Sequence, residues 1–564
     1  MTPMNGAEAL VRMLQLYGVK HIFGLCGDTS LPFYDALARL DHGMDHVLTR
    51  DERSAAYMAD GYARVTGRPG VCEGPSGGGA TYLLPGIVEA NESAIPVLGI
   101  TSDVSVGARG KFPLTELDQL ALYQPLTKWN TRIDRVDQIP QAVRNAFRAM
   151  TTGRPGATHI CLPYDLQKQA IAAQEVWAQP GHDRYPAYRF APDPADVERA
   201  AQALVAARSP VFLCGGGVVI SGASAELDRL ATLLNAPVCT TVSGQGSLAG
   251  AHPLHAGVVG TNGGVEATRA VVAQADLVMF IGARAGSTST EHWNMPGRDR
   301  TILHLDIDAM TLGTNYRTDV ALVGDARLGL AALADAVQRR IADRPADAAD
   351  GRAVTARARA DKHAFFAGLA ESQDRPVKPE RVVDALNKLL PREAIVVADP
   401  GTPCPYFSAY FDAPQAGRHF ITNRAHGALG FSLSAAVGAQ FGRPDAMVVC
   451  VMGDGSFGFT CGELETVVRR KIPLKMVVFS NSVFGWIKAS QKTGYGQRYF
   501  SVDFSRTDHA RVAEAFGVKA WRIEDPADVH GVLKAALAHD GPALVDVISQ
   551  ELQDTAVPVS QWMG

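Results

Sequence analysis

The residues whose types and spacing could do chemistry lie between Ala446 and Lys488. Ala446-Met447-Val448-Val449-Cys450-Val451-Met452 is a continuous apolar run, which predicts a strand buried on both faces. It ends in Gly453-Asp454-Gly455-Ser456, where two glycines let the backbone turn tightly and come close to a ligand. A helix-like stretch, Glu463 to Val468, precedes Pro473; a second apolar run, Leu474 to Phe479, ends in Ser480-Asn481. This reads as strand, helix, strand, with an oxygen ligand at the end of each strand. The Asp454 carboxylate, the Asn481 amide oxygen and nearby backbone carbonyls would together suit a hard divalent cation. Mg²⁺ takes few protein ligands and completes its octahedron with water and phosphate oxygens. The plainer reading is a surface turn with a helix cap at Asp454.

The elements that must position such a site recur along the chain. Val19 to Gly24 reads as a strand entering the turn Gly24-Leu25-Cys26-Gly27-Asp28, and Gly70-Val71-Cys72 enters Gly74-Pro75-Ser76-Gly77-Gly78-Gly79. Pro210 to Cys214 runs into Gly215-Gly216-Gly217, Leu277 to Ile281 into Gly282-Ala283-Arg284, and Ala394 to Asp399 into Pro400-Gly401-Thr402. Apolar strands alternating with helical stretches predict α/β architecture with parallel sheets, whose ligands bind outside the carboxyl ends of the strands. Three such domains are expected, at 1–172, 190–345 and 376–564, separated by a proline-rich connection over 176–195 and an exposed helical linker over 345–380. The first and last read alike, consistent with duplication. In the first, Ala55, Ala56, Ala59 and Ala63 prepare the helix after Glu52 for close packing.

Of 564 residues, 46% are apolar and 20% charged, the balance of a soluble globular protein, and the net charge of −4 argues against a nucleic-acid or membrane-surface partner. No run is long enough to span a membrane and no secretory signal is visible at the start. The eight cysteines are scattered, which reads as reduced packing residues of a cytoplasmic protein.

Gly453-Asp454-Gly455 followed by a terminal Asn one unit later resembles the signature of thiamine-diphosphate-dependent enzymes. In pattern the chain is similar to the acetolactate synthase large subunit and the related decarboxylases and carboligases. The resemblance implies that Asp454, Asn481 and the carbonyl of Val483 hold Mg²⁺. The signature ends Asn-Asn, whereas Ser480 stands in the first of those places here. Resemblance also makes the domains pyrimidine-binding, middle and diphosphate-binding in that order. Arg50-Asp51-Glu52 before an Ala-rich helix is similar to the cofactor-activating segment, with Asp51 in place of its His. Glu52 would then be the carboxylate that bonds N1′ of the aminopyrimidine and favours the imino tautomer, whose 4′ nitrogen can take the C2 proton. The other reading of Glu52 is a carboxylate interacting favourably with a helix dipole.

Further cofactor contacts implied by resemblance are Gly27, Gly78, Gly401, Thr402, Gly427, Leu429, Gly453, Gly455 and Ser456. Leu429 would be the apolar wedge between the two rings, and His426 a proton donor or a phosphate contact. Where acetolactate synthases carry Phe-Gln-Glu, this chain has Leu114-Thr115-Glu116, which sets the acetolactate reaction apart from the cofactor chemistry. In FAD-bearing relatives the middle domain holds the flavin; here Gly282-Ala283-Arg284 continues as Ala285-Gly286-Ser287, and FAD, another nucleotide or an empty structural cleft all remain open. The implied function is a thiamine-diphosphate- and Mg²⁺-dependent carbon–carbon lyase or carboligase acting on a small 2-oxo acid, in a homodimer or homotetramer with its site between chains. Alternatives are cleavage of a 2-hydroxyacyl-CoA or a diketone, or a non-catalytic homologue. Phe112, Trp486, Ile487, Lys488 and Gln561-Trp562-Met563 are candidates for a pocket taking the small-molecule carbonyl substrate.

Overall fold

The computed structural model describes residues 4–555, so Gln561, Trp562 and Met563 lie outside the described residues. The chain forms two compact units. One joins the residues up to Tyr188 with Asn423–Ala446 and Phe459–Leu474; the other joins Arg189–Thr422, Met447–Gly458 and the residues from Lys475 on.

The first unit is built on one six-stranded sheet. Its spatial order is Asp45–Leu48, His21–Gly24, Gly70–Gly74, Val97–Asp103, Thr158–Pro163 and Trp129–Arg132, every pairing parallel. In chain order these are the second, first, third, fourth, sixth and fifth strands. The amphipathic first helix, Gly6–Leu16, buries Leu10, Met13 and Leu14 as its spacing predicts, and starts in a reciprocal cap between Asn5 and Glu8. Helix Glu52–Thr66 is capped by Asp51, whose side chain accepts from the Arg53 amide, and stops at Gly67 in the left-handed region. Its alanines are fully buried, and their small size has a visible use. A Cβ on Gly61 would lie 2.1 Å from the Ala435 carbonyl oxygen, and one on Gly438 would lie 1.9 Å from that of Met58. Helix Phe431–Gly442 thus meets helix Glu52–Thr66 backbone to backbone.

The second unit holds two more six-stranded parallel sheets. In the middle segment the order is His255–Val258, Val238–Thr240, Pro210–Cys214, Leu277–Ile281, Thr301–Asp306 and Val320–Val323. That is third, second, first, fourth, fifth, sixth, the arrangement of dinucleotide-binding sheets. The last sheet runs Phe420–Thr422, Ile395–Ala398, Val448–Gly453, Lys475–Ser480, Ala543–Ile548 and Lys519–Ile523. Counted in chain order it repeats the first sheet strand for strand, as duplication would leave it. The fold is therefore α/β with three parallel sheets.

Several local expectations need correction. The Gly453–Ser456 stretch is no open turn: the strand continues through Gly453 and a helix, Asp454–Thr460, starts at once. The 345–380 segment is helical over Gly351–Ala370, but it is not a fully exposed linker, because Thr355, Ala358, Lys362 and Phe366 are buried along one face. Ala and Lys at those positions disguised the apolar period, since a Lys stem can be buried along with its neighbours. All eight cysteines are free and six are buried, but Cys26 is exposed and so is not one of the core packing residues. No helix among the described residues is long and apolar enough to cross a membrane.

Candidate active site

In sheets of the first and last type, the chain reverses its strand order between the first and third strands, and the loops leaving those two strands flank a crevice. In the last sheet these are Asp399 to Thr402, after Ile395–Ala398, and the start of helix Asp454–Thr460, after Val448–Gly453. Asp454 is buried, and among the described residues every hydrogen bond to its carboxylate comes from backbone. Gly455 N donates to Oδ1 at 2.8 Å, while Asn481 N and Ser482 N donate to Oδ2 at 2.9 and 2.6 Å. Ser482 takes φ 58° to make that approach. Burial pushes the Asp454 carboxyl above its ordinary range, against the pull of these N–H groups.

The Asn481 side chain lies beside it, with Oδ1 3.4 Å from Val483 N and a buried Nδ2 that has no hydrogen-bond partner among the described residues. Thr402 arrives from the neighbouring loop. A Cβ on Gly485 would lie 2.9 Å from Thr402 Oγ1 and 3.5 Å from Asn481 Nδ2, so Gly485 is what lets the two converge. Gly455 has a similar reason, because a Cβ there would sit 2.9 Å from the Phe484 ring. Gly401, at φ 95°, turns the first loop. Ser456 donates to Asp399 at 3.1 Å, tying the two loops together. Val483 is buried and bridges to Asp503.

Among the described residues no group of three His, Cys, Asp or Glu side chains could hold a metal ion. What the structure brings together here is one carboxylate, that of Asp454, and one amide, that of Asn481. A buried carboxylate held only by N–H groups, beside an amide with an idle end, fits a hard cation that brings its own water and phosphate oxygens.

The equivalent loops of the first sheet leave His21–Gly24 and Gly70–Gly74. They pack directly, since a Cβ on Gly27 would lie 2.5 Å from the Pro75 ring. Thr29 Oγ1 lies 3.0 Å from Ser76 Oγ, which in turn lies 2.7 Å from Thr115 Oγ1. Glu52, only 8% exposed, faces the same turn: a Cβ on Gly79 would lie 3.1 Å from its Oε1. Close packing therefore demands glycine at 77, where φ is 67°, and at 79, rather than at Gly78, whose Cβ would meet open space. Burial raises the Glu52 pKa above the ordinary 4.5; its own amide opposes this, and the charges of Asp51 and Glu73 add to it.

Two partners of this region were not anticipated. Glu73 is buried inside the sheet, accepting from the Tyr34 hydroxyl, with His46 Nε2 3.0 Å from that hydroxyl and 3.4 Å from Glu73 Oε1. A carboxylate in a strand buried on both faces was the signal. Glu89, fully buried beside Arg64, accepts the Ala425 and His426 amides through Oε2 at 3.3 and 2.7 Å. It anchors the loop before helix Phe431–Gly442, and Asn423 donates to the Ala428 carbonyl at 2.7 Å within that loop. His426 and Gly427 are exposed and Leu429 is half-buried, so the loop presents rather than packs them. Phe112 is 95% exposed, while Lys488 is engaged with Asp503 and Glu551 at 2.7 and 2.8 Å.

Duplicated parallel sheets with glycine loops at both switch points, a buried acid at one and a carboxylate–amide pair at the other, define an enzyme class that holds a phosphate-bearing cofactor at strand ends. Comparison with known proteins says which. Residues 4–122 match the thiamine pyrophosphate enzyme N-terminal TPP binding domain, 197–333 the central domain, and 399–547 the C-terminal TPP binding domain. The chain belongs to the thiamine pyrophosphate (thiamine diphosphate) enzymes. It is 35% identical over 556 residues to the probable acetolactate synthase large subunit of Methanococcus aeolicus, covering 96% of this chain and 92% of that protein. It is 33% identical over 555 residues to the acetolactate synthase isozyme 2 large subunit of Escherichia coli K12, covering 98% and 96%.

Proposed function

We propose that this is a thiamine-diphosphate- and Mg²⁺-dependent enzyme that breaks or makes the carbon–carbon bond beside the carbonyl of a small 2-oxo acid. The observation that carries the reading is the buried Asp454 carboxylate, bonded only by backbone N–H groups and set beside Asn481. Asp454, Asn481 and the Val483 carbonyl would hold the cation. Gly401, Thr402, Gly453, Gly455 and Ser456 would line the diphosphate, with Gly27 and Gly78 at the pyrimidine end. Gly427 would give its loop the turn that offers Leu429 as the apolar wedge. When bound, the cofactor supplies a carbon nucleophile that can stabilise the carbanion left when a carboxylate or acyl group departs. Glu52 would hold a proton at the cofactor's N1′, and its burial raises its affinity for that proton above that of an exposed carboxylate. His426, exposed on a loop whose amide Glu89 fixes, would hold a proton where the substrate carbonyl arrives.

Thr115 supports a substrate other than paired pyruvate. Its hydroxyl is 2.7 Å from Ser76 Oγ, and its Cβ would be 2.8 Å from one placed on Gly77, so a short hydroxyl side chain is held against this turn where acetolactate synthases carry an amide. The oligomer belonging to this reading is a homodimer or homotetramer whose sites are shared between chains. FAD would sit at the middle sheet's switch point, where Gly217 N donates to the Gly282 carbonyl at 3.0 Å; the lyase and carboligase reactions proposed are redox-neutral. Mass spectrometry of small molecules released from the purified protein tests the cofactor, with thiamine diphosphate expected. A 2-oxo acid panel followed by CO₂ release and carbonyl products tests the reaction. Acetolactate formed from pyruvate as fast as the best substrate is turned over would overturn the substrate reading.

A further inference from the structure

We propose that Ser480, His509 and Asp546 form a positioning cluster that holds Asp454 and Asn481 in cation-binding register. The inference rests on the magnesium reading of those two residues. Ser480 is the residue that departs from the thiamine-diphosphate signature, and it immediately precedes Asn481. Its hydroxyl is not idle. Ser480 Oγ donates to Asp546 Oδ1 at 2.5 Å and lies 2.8 Å from His509 Nδ1. Asp546 Oδ2 accepts the His509 amide and Arg522 Nη1, each at 3.2 Å. Asp546 is 0% exposed, on the interior strand Ala543–Ile548, which is paired on both sides. It pairs with Val478, two residues before Ser480, so both side chains rise from the same face of the sheet. Burial works against its charge, but the His509 and Ser480 bonds and the Arg522 charge hold its carboxyl below the ordinary range. With these donors in place the carboxylate is satisfied rather than stranded.

His509 is the link. It opens helix His509–Ala515, and its ring touches both elements that carry the candidate ligands. Through Nδ1 it reaches Ser480, at the end of strand Lys475–Ser480. In a T-shaped contact it meets Phe457, three residues after Asp454, with ring centroids 5.4 Å apart at 86°. Asn481 N, the next group along the strand, is the donor to Asp454 Oδ2. A shift of the strand end would move that amide and the Asn481 side chain together, and the cluster prevents it. Groups behind metal ligands that orient them in this way change metal affinity about 10–100-fold when removed.

The test uses the full-length protein with thiamine diphosphate and Mg²⁺. The Mg²⁺ dissociation constant at saturating thiamine diphosphate is measured by calorimetry, and the unfolding temperature is measured without either. Ser480→Ala and His509→Phe are expected to weaken Mg²⁺ binding about 10–100-fold. His509→Asn, which keeps an N–H donor near the Nδ1 position, is expected to recover most of the loss although it gives up the ring contact. Should His509→Phe fail to fold, Ser480→Ala removes one hydroxyl only and carries the same comparison. Variants that unfold earlier yet bind Mg²⁺ as tightly as wild type would overturn the positioning role and leave the metal site standing. Wild-type cofactor binding that ignores Mg²⁺ would overturn the metal reading itself, and this inference with it.

Discussion

At the scale of single residues, the two acids differ in what their surroundings ask of them. Asp454 is buried against backbone N–H groups, which tolerate its charge without neutralising it, as the proposed cation would. Asp454→Ala is therefore expected to leave the protein folded and abolish Mg²⁺-dependent cofactor binding. Calorimetry with and without Mg²⁺ checks it, and cofactor affinity equal to wild type would refute the ligand role. Glu52 has no cation to expect. Burial raises its pKa, and Asp51 and Glu73 push the same way. The folded protein thus binds this proton more tightly than the unfolded chain. The stability Glu52 contributes is complete below the ordinary 4.5 and is lost as pH rises through the folded value. Glu52→Gln, fixed in the neutral form, should raise the unfolding temperature of the cofactor-free protein at neutral pH, with the gain vanishing in acid. The same variant should slow exchange of the bound cofactor's C2 proton about 10²–10⁴-fold. Wild-type exchange rates would reduce Glu52 to a helix-end carboxylate.

At the scale of elements, the meeting of helices Glu52–Thr66 and Phe431–Gly442 sets where Glu52 begins and where the loop bearing His426 and Leu429 ends. Their contact is backbone on backbone, so a methyl group has nowhere to go. Gly438→Ala puts a carbon 1.9 Å from the Met58 carbonyl oxygen, and overpacking of this kind costs about 1–3 kcal/mol or more. Gly531→Ala, on the exposed face of helix Val529–Ala538 with open space around the new carbon, should instead stabilise by about 0.5–1 kcal/mol. Unfolding midpoints of the two variants should move in opposite directions. The strands and their glycine loops were legible in the sequence because a doubly buried strand needs an unbroken apolar run and a switch-point loop needs turn residues. Which helix would fill the alanine face was not legible, because its partner begins far along the chain at Phe431. The Glu89 anchor and the Ser480–Asp546 bond were hidden for the same reason: a buried charge announces that a partner exists without saying which. Gly77 and Gly79, rather than Gly78, carry the packing constraint because a close approach depends on where Thr115, Pro75 and Glu52 arrive.

At the scale of the whole molecule, the first and last sheets share a strand order, yet they place different chemistry at the same switch point. The acid that would tune the cofactor leads the helix after the second strand of one, and the cation ligands stand beyond the third and fourth strands of the other. Two halves of matching strand order and different chemistry would complete each other's site if two copies paired so that one half of each faced the other half of its partner. On the proposed reading, a C₂ pair would build two sites, each using Glu52 of one chain and Asp454 with Asn481 of the other. This arrangement has a consequence that a site within one chain lacks. Glu52→Gln and Asp454→Ala are each expected to be nearly inactive alone. Dissociated together and reassembled, they form mixed dimers in which one site receives both intact residues and the other receives neither. Random pairing makes half the dimers mixed, so about a quarter of the wild-type activity should return if the symmetric pair is the working unit. Assay of the mixture against each variant alone, treated identically, measures the recovery. Recovery near a quarter, rising with the time allowed for exchange, places the site between chains, and a mixture no more active than the two variants separately places it within one.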